Sequence, residues 1–471
     1  MKINENNKTI LTVCLMGFIL YFSIESVSIA LPTMIQELSI SPVLANWISI
    51  AGLLLTVAIE IPCGKIIPKF GIVKYSKISM IVFMISTIIT IITNNIYVII
   101  FGRLLIGLSL GILAISSMLL ITYQIPKNKL GYALGLVGFS SAFAALVSPI
   151  IGGLLITYSS WKVLFSFTFP FALIILISLL TLNKEWYQEK IHINKRSSLL
   201  YILAIVLIIF GLSNLNTTNG LLPIIIGLIL LIIVVYYEKK SEHPIYDFNL
   251  LKDKKYVINN YTALVHRLAK SGVTIVLSLY LQNVRGLSAT VTGTFIAIIA
   301  LMMMFFSPLS GKLSDSYNAV SISKIGLILI TISSILLCFI DSLTNTSIIL
   351  LLIIFGIGIG TFESSNRKVI LNTSHKEQLG SASSFLSTMR DMGDILGVAL
   401  FTVILGTFTG INEYWIVCSK ITLIIISIIS ISALLLFYVN KYYKVIYKYD
   451  IDKIMKTFNP EEYLKIGKIK K

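Results

Sequence analysis

The sequence predicts an all-α integral membrane protein, and three observations carry that prediction. Of its 471 residues, 56% are hydrophobic and 13% are charged, against about 25% charged in a soluble domain. Mean hydropathy is +0.90. The apolar stretches run without interruption, as in Ile224–Val235 and Ile348–Phe355, whereas the strands of a membrane barrel alternate apolar and polar residues. Lys and Arg gather in every second connection, as they do where charge fixes the orientation of helices.

A span needs roughly 20 apolar residues, and about fourteen segments meet that need in order: 10–32, 45–64, 75–93, 96–124, 131–157, 161–182, 197–214, 220–237, 256–281, 288–311, 320–340, 345–368, 381–409 and 414–438. The first is longer than a cleaved signal peptide and lacks its small-residue cleavage site. Ala30-Leu31-Pro32 ends it, and Asn46-Trp47 opens the second. The fifth holds Ser148-Pro149-Ile150-Ile151-Gly152-Gly153. Proline removes a helical hydrogen bond and glycine lets a second backbone approach, so this helix should be bent and packed inside the protein. The sixth starts with Ser160-Trp161-Lys162-Val163-Leu164-Phe165 and Phe169-Pro170; Gly356, Gly358 and Gly360 punctuate the twelfth, and Gly393 and Gly397 the thirteenth.

Lys65, Lys69, Lys74 and Lys77 follow the second segment, and Lys127 and Lys129 the fourth. Lys184, Lys190, Lys195 and Arg196 follow the sixth, and Lys239, Lys240, Lys252, Lys254 and Lys255 the eighth. The tail from Lys441 is strongly basic. Connections 33–46, 94–95, 214–219 and 341–346 carry no Lys or Arg; Lys162, Arg285 and Lys420 alone depart from the pattern. The positive-inside rule then places both termini in the cytoplasm, with a multi-pass chain in the plasma membrane.

A net charge of +17 placed on such loops faces anionic lipid headgroups rather than nucleic acid. Cys14, Cys63, Cys338 and Cys418 stand singly, without metal or disulfide spacing. There is no G-x-x-x-x-G-K-[ST] phosphate loop, no H-E-x-x-H and no loop large enough for a catalytic domain. These features argue against ATP-driven transport and against a membrane enzyme. Neither cofactor nor metal is expected.

The S-P-I-I-G-G run, followed by S-W-K-V-L-F and F-T-F-P, resembles the antiporter motif and following helix of the major facilitator superfamily. It is most similar to the fourteen-span drug:proton antiporters. Ser148, Pro149, Gly152 and Gly153 would form the antiporter motif, with Ser148 where that family has Gly. A loop motif, G-x-L-a-D-r-x-G-r, resembles Gly64, Lys65, Lys69 and Gly71, with Pro68 in place of the acid. A second copy keeps Gly311, Lys312, Leu313 and Asp315. Losing the first acid should weaken that latch. The resemblance implies two six-helix bundles, 1–190 and 256–440, joined by two interposed helices and a cytoplasmic loop at 191–255 and followed by a basic tail at 441–471. It implies a monomeric proton-coupled exporter of small apolar or cationic compounds. The alternatives are an importer or metabolite exporter of the same fold, or a non-transporting membrane sensor.

Charge inside a span is costly and marks function by default. Glu25 lies about 22 Å from the cytoplasmic edge at 1.5 Å per residue, and Arg103 near 20 Å on the same scale, so the two can face each other. Arg103 with Gly107 and Gly111 also resembles the family's R-x-x-x-G-x-x-x-G helix, linked to proton coupling. Asp394 lies near the depth of Glu25. Glu25, Arg103 and Asp394 are therefore the proton-coupling candidates. Arg390 and Asp394, four apart, should pair along one helix face, leaving Asp391 to line the cavity. Tyr280, Gln282, Arg390 and Asp391 are the substrate-binding candidates. Glu60 is close enough to the cytoplasmic edge to reach loop lysines. His266, Arg267 and Lys270 either bind an anionic substrate or sit at the interface. Glu363 and Arg367 suggest an interfacial i,i+4 pair.

Overall fold

The computed structural model describes residues 5–40, 42–182, 185–187, 193–214, 220–241, 244–407 and 414–439. The basic tail, Lys184, Lys190 and His243 lie outside them. The first half comprises α1 (Glu5–Leu38), α2 (Pro42–Phe70), α3 (Ile72–Ile92), α4 (Ile96–Gln124), α5 (Leu130–Tyr158), α6 (Trp161–Ser166) and α7 (Phe169–Leu180). Then come α8 (Lys195–Ser213) and α9 (Leu221–Lys240), followed by α10 (Lys254–Asn283), α11 (Ala289–Ser316), α12 (Ala319–Leu337), α13 (Asn345–Thr373), α14 (Leu379–Thr407) and α15 (Tyr414–Val439).

The sixth expected span is broken into α6 and α7. Pro170 has no N–H to continue the ladder, and it sits at the start of α7, where that loss is harmless. Thirteen segments among the described residues are long and apolar enough to cross a membrane. The remaining long helix, α14, carries Arg390, Asp391 and Asp394 at its centre. It is tolerable in lipid only because other helices surround those charges.

In the first half α4 lies between α2 and α3, and α1 lies along α5; in the second, α10 packs on α14 and α15, and α13 on α11 and α12. α8 and α9 pair with each other, and α8 leans on α2. The halves meet along two seams, α5 with α11 and α2 with α14. Small residues make these approaches possible, since association in lipid rests on close van der Waals contact. A Cβ on Gly380 would lie 1.8 Å from the carbonyl oxygen of Gly64, and one on Gly311 would lie 2.2 Å from that of Gly131.

Both seams are tightest at the lysine-rich end, where α1 begins and α2 ends. Gly64 meets Gly380 there, and Gly131 meets Gly311. Toward the other end a Cβ on Gly153 of α5 or on Gly293 of α11 would meet no atom of another helix within 4 Å. The halves thus touch at the basic end and part at the bare one. The few cations at the bare end are tied down. Arg285 donates to the carbonyls of Ile340 (2.9 Å) and Leu343 (2.6 Å), and Lys162 lies over the Trp161 ring. Lys420 pairs with Asp341 at 2.6 Å, a hydrogen bond that holds the Asp341 carboxyl below its usual range.

The two copies of the loop motif close differently. Asp315, at the end of α11, accepts hydrogen bonds from the N–H groups of Gly131 and Tyr132, both 2.8 Å. It thereby caps α5 with a negative charge where the helix dipole favours one, and it also pairs with Lys368. At the matching place on α2, Pro68 packs against Gly380 instead. The start of α3 takes its carboxylate from elsewhere in the chain: Glu185 accepts from Val73 (2.8 Å) and Lys74 (3.0 Å), next to Gly71 at a φ of 110°.

Asp315→Asn should weaken closure of the α5–α11 seam by about 1 kcal/mol, roughly fivefold in population. Spin labels at Lys129 and Tyr317 would report it as a shift toward longer distances; an unchanged distribution would show that the cap does not hold the seam.

Candidate functional site

Between the halves lies a cavity of about 580 Å³, walled by α1, α5, α10, α11 and α13. Half of its lining is Ala, Leu, Ile and Met, interspersed with polar groups, the composition of a small-molecule site. Tyr21, Glu25, Lys270 and Glu363 supply its charge and hydrogen-bonding capacity. Pro149 is on the wall, so the bend in α5 shapes the cavity; Ser148 and Gly152 are buried behind it, and Gly153 faces open space.

At the floor is a connected set of charges, buried except for Asp394. Glu363 Oε1 accepts from Arg367 Nη2 at 2.6 Å and from Arg390 Nη2. Arg390 Nη2 also donates to Tyr21 Oη at 3.2 Å, and Arg267 Nη2 donates to the same oxygen. Arg267 Nε lies 3.5 Å from Asp394 Oδ2. The guanidinium of Arg267 and the ammonium of Lys270 stand 5.5 and 5.9 Å from the Tyr21 ring. One phenol on α1 thereby meets arginines of α10 and α14. One turn further along α1, Glu25 faces Lys270, with Arg267 and Asp394 behind it.

This arrangement corrects several expectations. Glu25 and Arg103 do not face each other. Arg103 is 2% exposed and donates to the carbonyls of Ile48 (3.2 Å) and Ser23 (3.4 Å), its guanidinium 5.7 Å from the Phe165 ring. Equal depth put both at one level, but the rotation of α4 turns Arg103 into the α1–α2 contact. Arg390 and Asp394 do not pair along α14; each finds a partner on a neighbouring helix, Glu363 and Arg267. Asp391 is absent from the cavity lining and faces Glu60 instead. Glu60 reaches no lysine; it is fully buried against α14. Glu363 and Arg367 do pair, but in the core rather than at the interface.

Tyr280 and Gln282 also lie off the cavity wall. Tyr280 is buried and donates to the Ile340 carbonyl at 3.3 Å; Gln282 donates to the Ser278 carbonyl in its own helix. Gly64 forms the α2–α14 contact, Lys65 donates to the Pro244 carbonyl at 2.6 Å, and Lys69 lies over the Phe70 ring. His266 and Arg267 are in the middle of α10 and essentially inaccessible, which removes the interfacial reading. The His266 ring stacks 4.9 Å from Phe362. Tyr21 is the central residue that motif reading passes over. Its signal is its position one turn before Glu25, on the same face of α1.

The pattern of the Major Facilitator Superfamily matches residues 13–398, with a second match over 260–448. The chain belongs to this superfamily. It is 25% identical over 402 residues to the riboflavin transporter RibZ of Clostridioides difficile, covering 83% of this chain and 87% of that one. It is 24% identical over 397 residues to the lincomycin resistance protein LmrB of Listeria monocytogenes, covering 83% and 84%. Among solved structures, the human organic anion transporter MFSD10 superposes with a TM-score of 0.68 at 12% identity, over 92% of this chain and 100% of that one. The superfamily and these relatives make the chain a multi-pass membrane transporter and not an enzyme.

Glu363→Gln leaves Arg367 and Arg390 in the core without a carboxylate. Removing one partner of a buried pair costs about 3–5 kcal/mol, whereas Tyr21→Phe removes one uncharged acceptor, about 1–3 kcal/mol. In thermal unfolding of the purified protein the first variant should melt well below the second. The reverse order would mean that the floor is held by Tyr21 and not by Glu363.

Proposed function

We propose that this transporter is a proton-coupled exporter of small apolar or cationic compounds, acting as a monomer in the plasma membrane with its basic end in the cytoplasm. The observation that carries the reading is the central cavity, shut at the basic end and parted at the bare one, with the Glu25 carboxyl on its wall. In that orientation the chain stands outward-facing, its halves, 1–190 and 256–440, poised to rock about the cavity. Transporters built from related halves place their substrate site at such an interface.

Glu25 on the wall can hold a proton or a cation but not both, which is the exchange that antiport requires. Opposite it, Asp394 is tied to Arg267 and changes partner only if α10 and α14 shift. Among the described residues no carboxylate pairs with Arg103, so its part is to hold α4 against α1 and α2. LmrB is named for drug resistance, which favours export of foreign compounds. One observation favours a second reading: Lys270 and Arg267 crowd the Tyr21 ring beside the cavity, a setting suited to an aromatic or anionic metabolite. RibZ, named as a riboflavin transporter, fits that alternative.

Inverted vesicles energised by respiration, with a pH-gradient dye, decide between them. Lipophilic cations should collapse the gradient in vesicles carrying the protein, and Glu25→Gln should abolish the response. A signal from anionic or aromatic metabolites in place of cations would establish the second reading. No response to either set would overturn proton exchange.

A further inference from the structure

Glu60 takes no part in the cavity or in its charged floor, yet it is the most completely enclosed carboxyl group in the α2–α14 seam. It is 0% exposed, and neither carboxyl oxygen has a hydrogen-bond partner. Thr388 and Asp391 face it from α14, and the Thr388 hydroxyl is itself unpartnered. The other titratable or charged groups facing it are Arg390 of α14, Tyr201 of α8 and Cys63 on its own helix. Arg390 is already committed to Glu363 and Tyr21. An ionised carboxylate in such a place, with one threonine hydroxyl beside it and a second acid opposite, costs several kcal/mol; a protonated one costs far less.

Its place in the seam gives this enclosure a consequence. Gly64, one helical turn nearer the basic end on the same face of α2, makes the tightest backbone contact of the seam with Gly380. Ser384 and Thr388 continue that contact surface along α14 at intervals of four. Glu60 therefore sits directly behind the closure, and parting of α2 from α14 brings water to it from the basic end.

We propose that Glu60 is a proton-binding site that locks the α2–α14 seam: it holds a proton while the seam is shut and releases it to water at the basic end when the seam parts. The proton enters and leaves by the same face, so Glu60 sets how readily the transporter opens to that compartment and adds no proton to the transport stoichiometry. Acid on that side keeps the seam shut; alkali favours opening. This inference rests on the rocking motion assigned above but not on Glu25 as the coupling acid.

The test is the distance between spin labels at Lys69 and Glu377, which flank the seam at the basic end, in a chain in lipid nanodiscs whose four cysteines have been replaced. Across roughly pH 5 to 9 the wild type should move from short to long distances, the open-to-shut ratio rising by up to about tenfold per pH unit, as release of one proton dictates. Glu60→Gln, which copies the protonated acid, should stay short throughout, while Glu60→Asp should keep the pH response and so exclude a general folding defect. A Glu60→Gln protein that opens with pH as the wild type does, or a wild type indifferent to pH, overturns the lock. The vesicle assay separates the two ideas: a wild type that opens with pH but gives no dye response keeps the lock and loses proton exchange.

Discussion

A charge inside a low-dielectric slab must be matched by protein, because no water is there to match it. That constraint organises the centre of this molecule. Arg267, Glu363, Arg367, Arg390 and Asp394 come from α10, α13 and α14, and each has a partner of opposite charge among the others. Three helices of the second half are thereby fixed in rotation as well as depth. The cavity exists where this fixed surface faces the looser, mostly aliphatic walls of α5 and α11. Arg103 obeys the same rule by other means, its charge spread over backbone carbonyls and an aromatic face.

Around that centre, shape does the work that charge cannot. The seams depend on glycines whose backbones nearly touch, and because they touch at one end only, the space between the halves opens toward the other. The two closures are made differently, by a carboxylate cap at Asp315 and by bare contact at Gly64, Pro68 and Gly380. The two joints are thus chemically unlike.

The fold was legible in the sequence because hydropathy and loop charge are local signals, and lipid leaves the backbone few alternatives to the helix. Even α14 stood out, as an apolar segment whose charges demanded partners. The partners themselves were another matter. Depth along a helix follows from counting residues, but rotation depends on which neighbour packs where, and a 100° error moves a side chain to a different helix. So Glu25 was found on the cavity wall, while Arg103 and Asp391 turned elsewhere. The i,i+4 rule was right for Glu363 with Arg367 and misled for Arg390 with Asp394, because interhelical partners outcompeted the local one. Tyr21 was missed since a tyrosine in a span usually reads as packing, and its importance lies wholly in two arginines that are hundreds of residues distant.

The ion pairs of the floor all lie within one half, and the link to the other half is a phenol. When α1 moves away, no carboxylate or guanidinium of the floor loses its counter-charge; only the hydrogen bonds to Tyr21 are exchanged. The attraction of Glu25 for Lys270 does cross the divide, but on the cavity wall, where water can replace it. The molecule has put its permanent bonds within a body and its renewable ones between bodies, as a bearing must if it is to be broken and remade on every cycle.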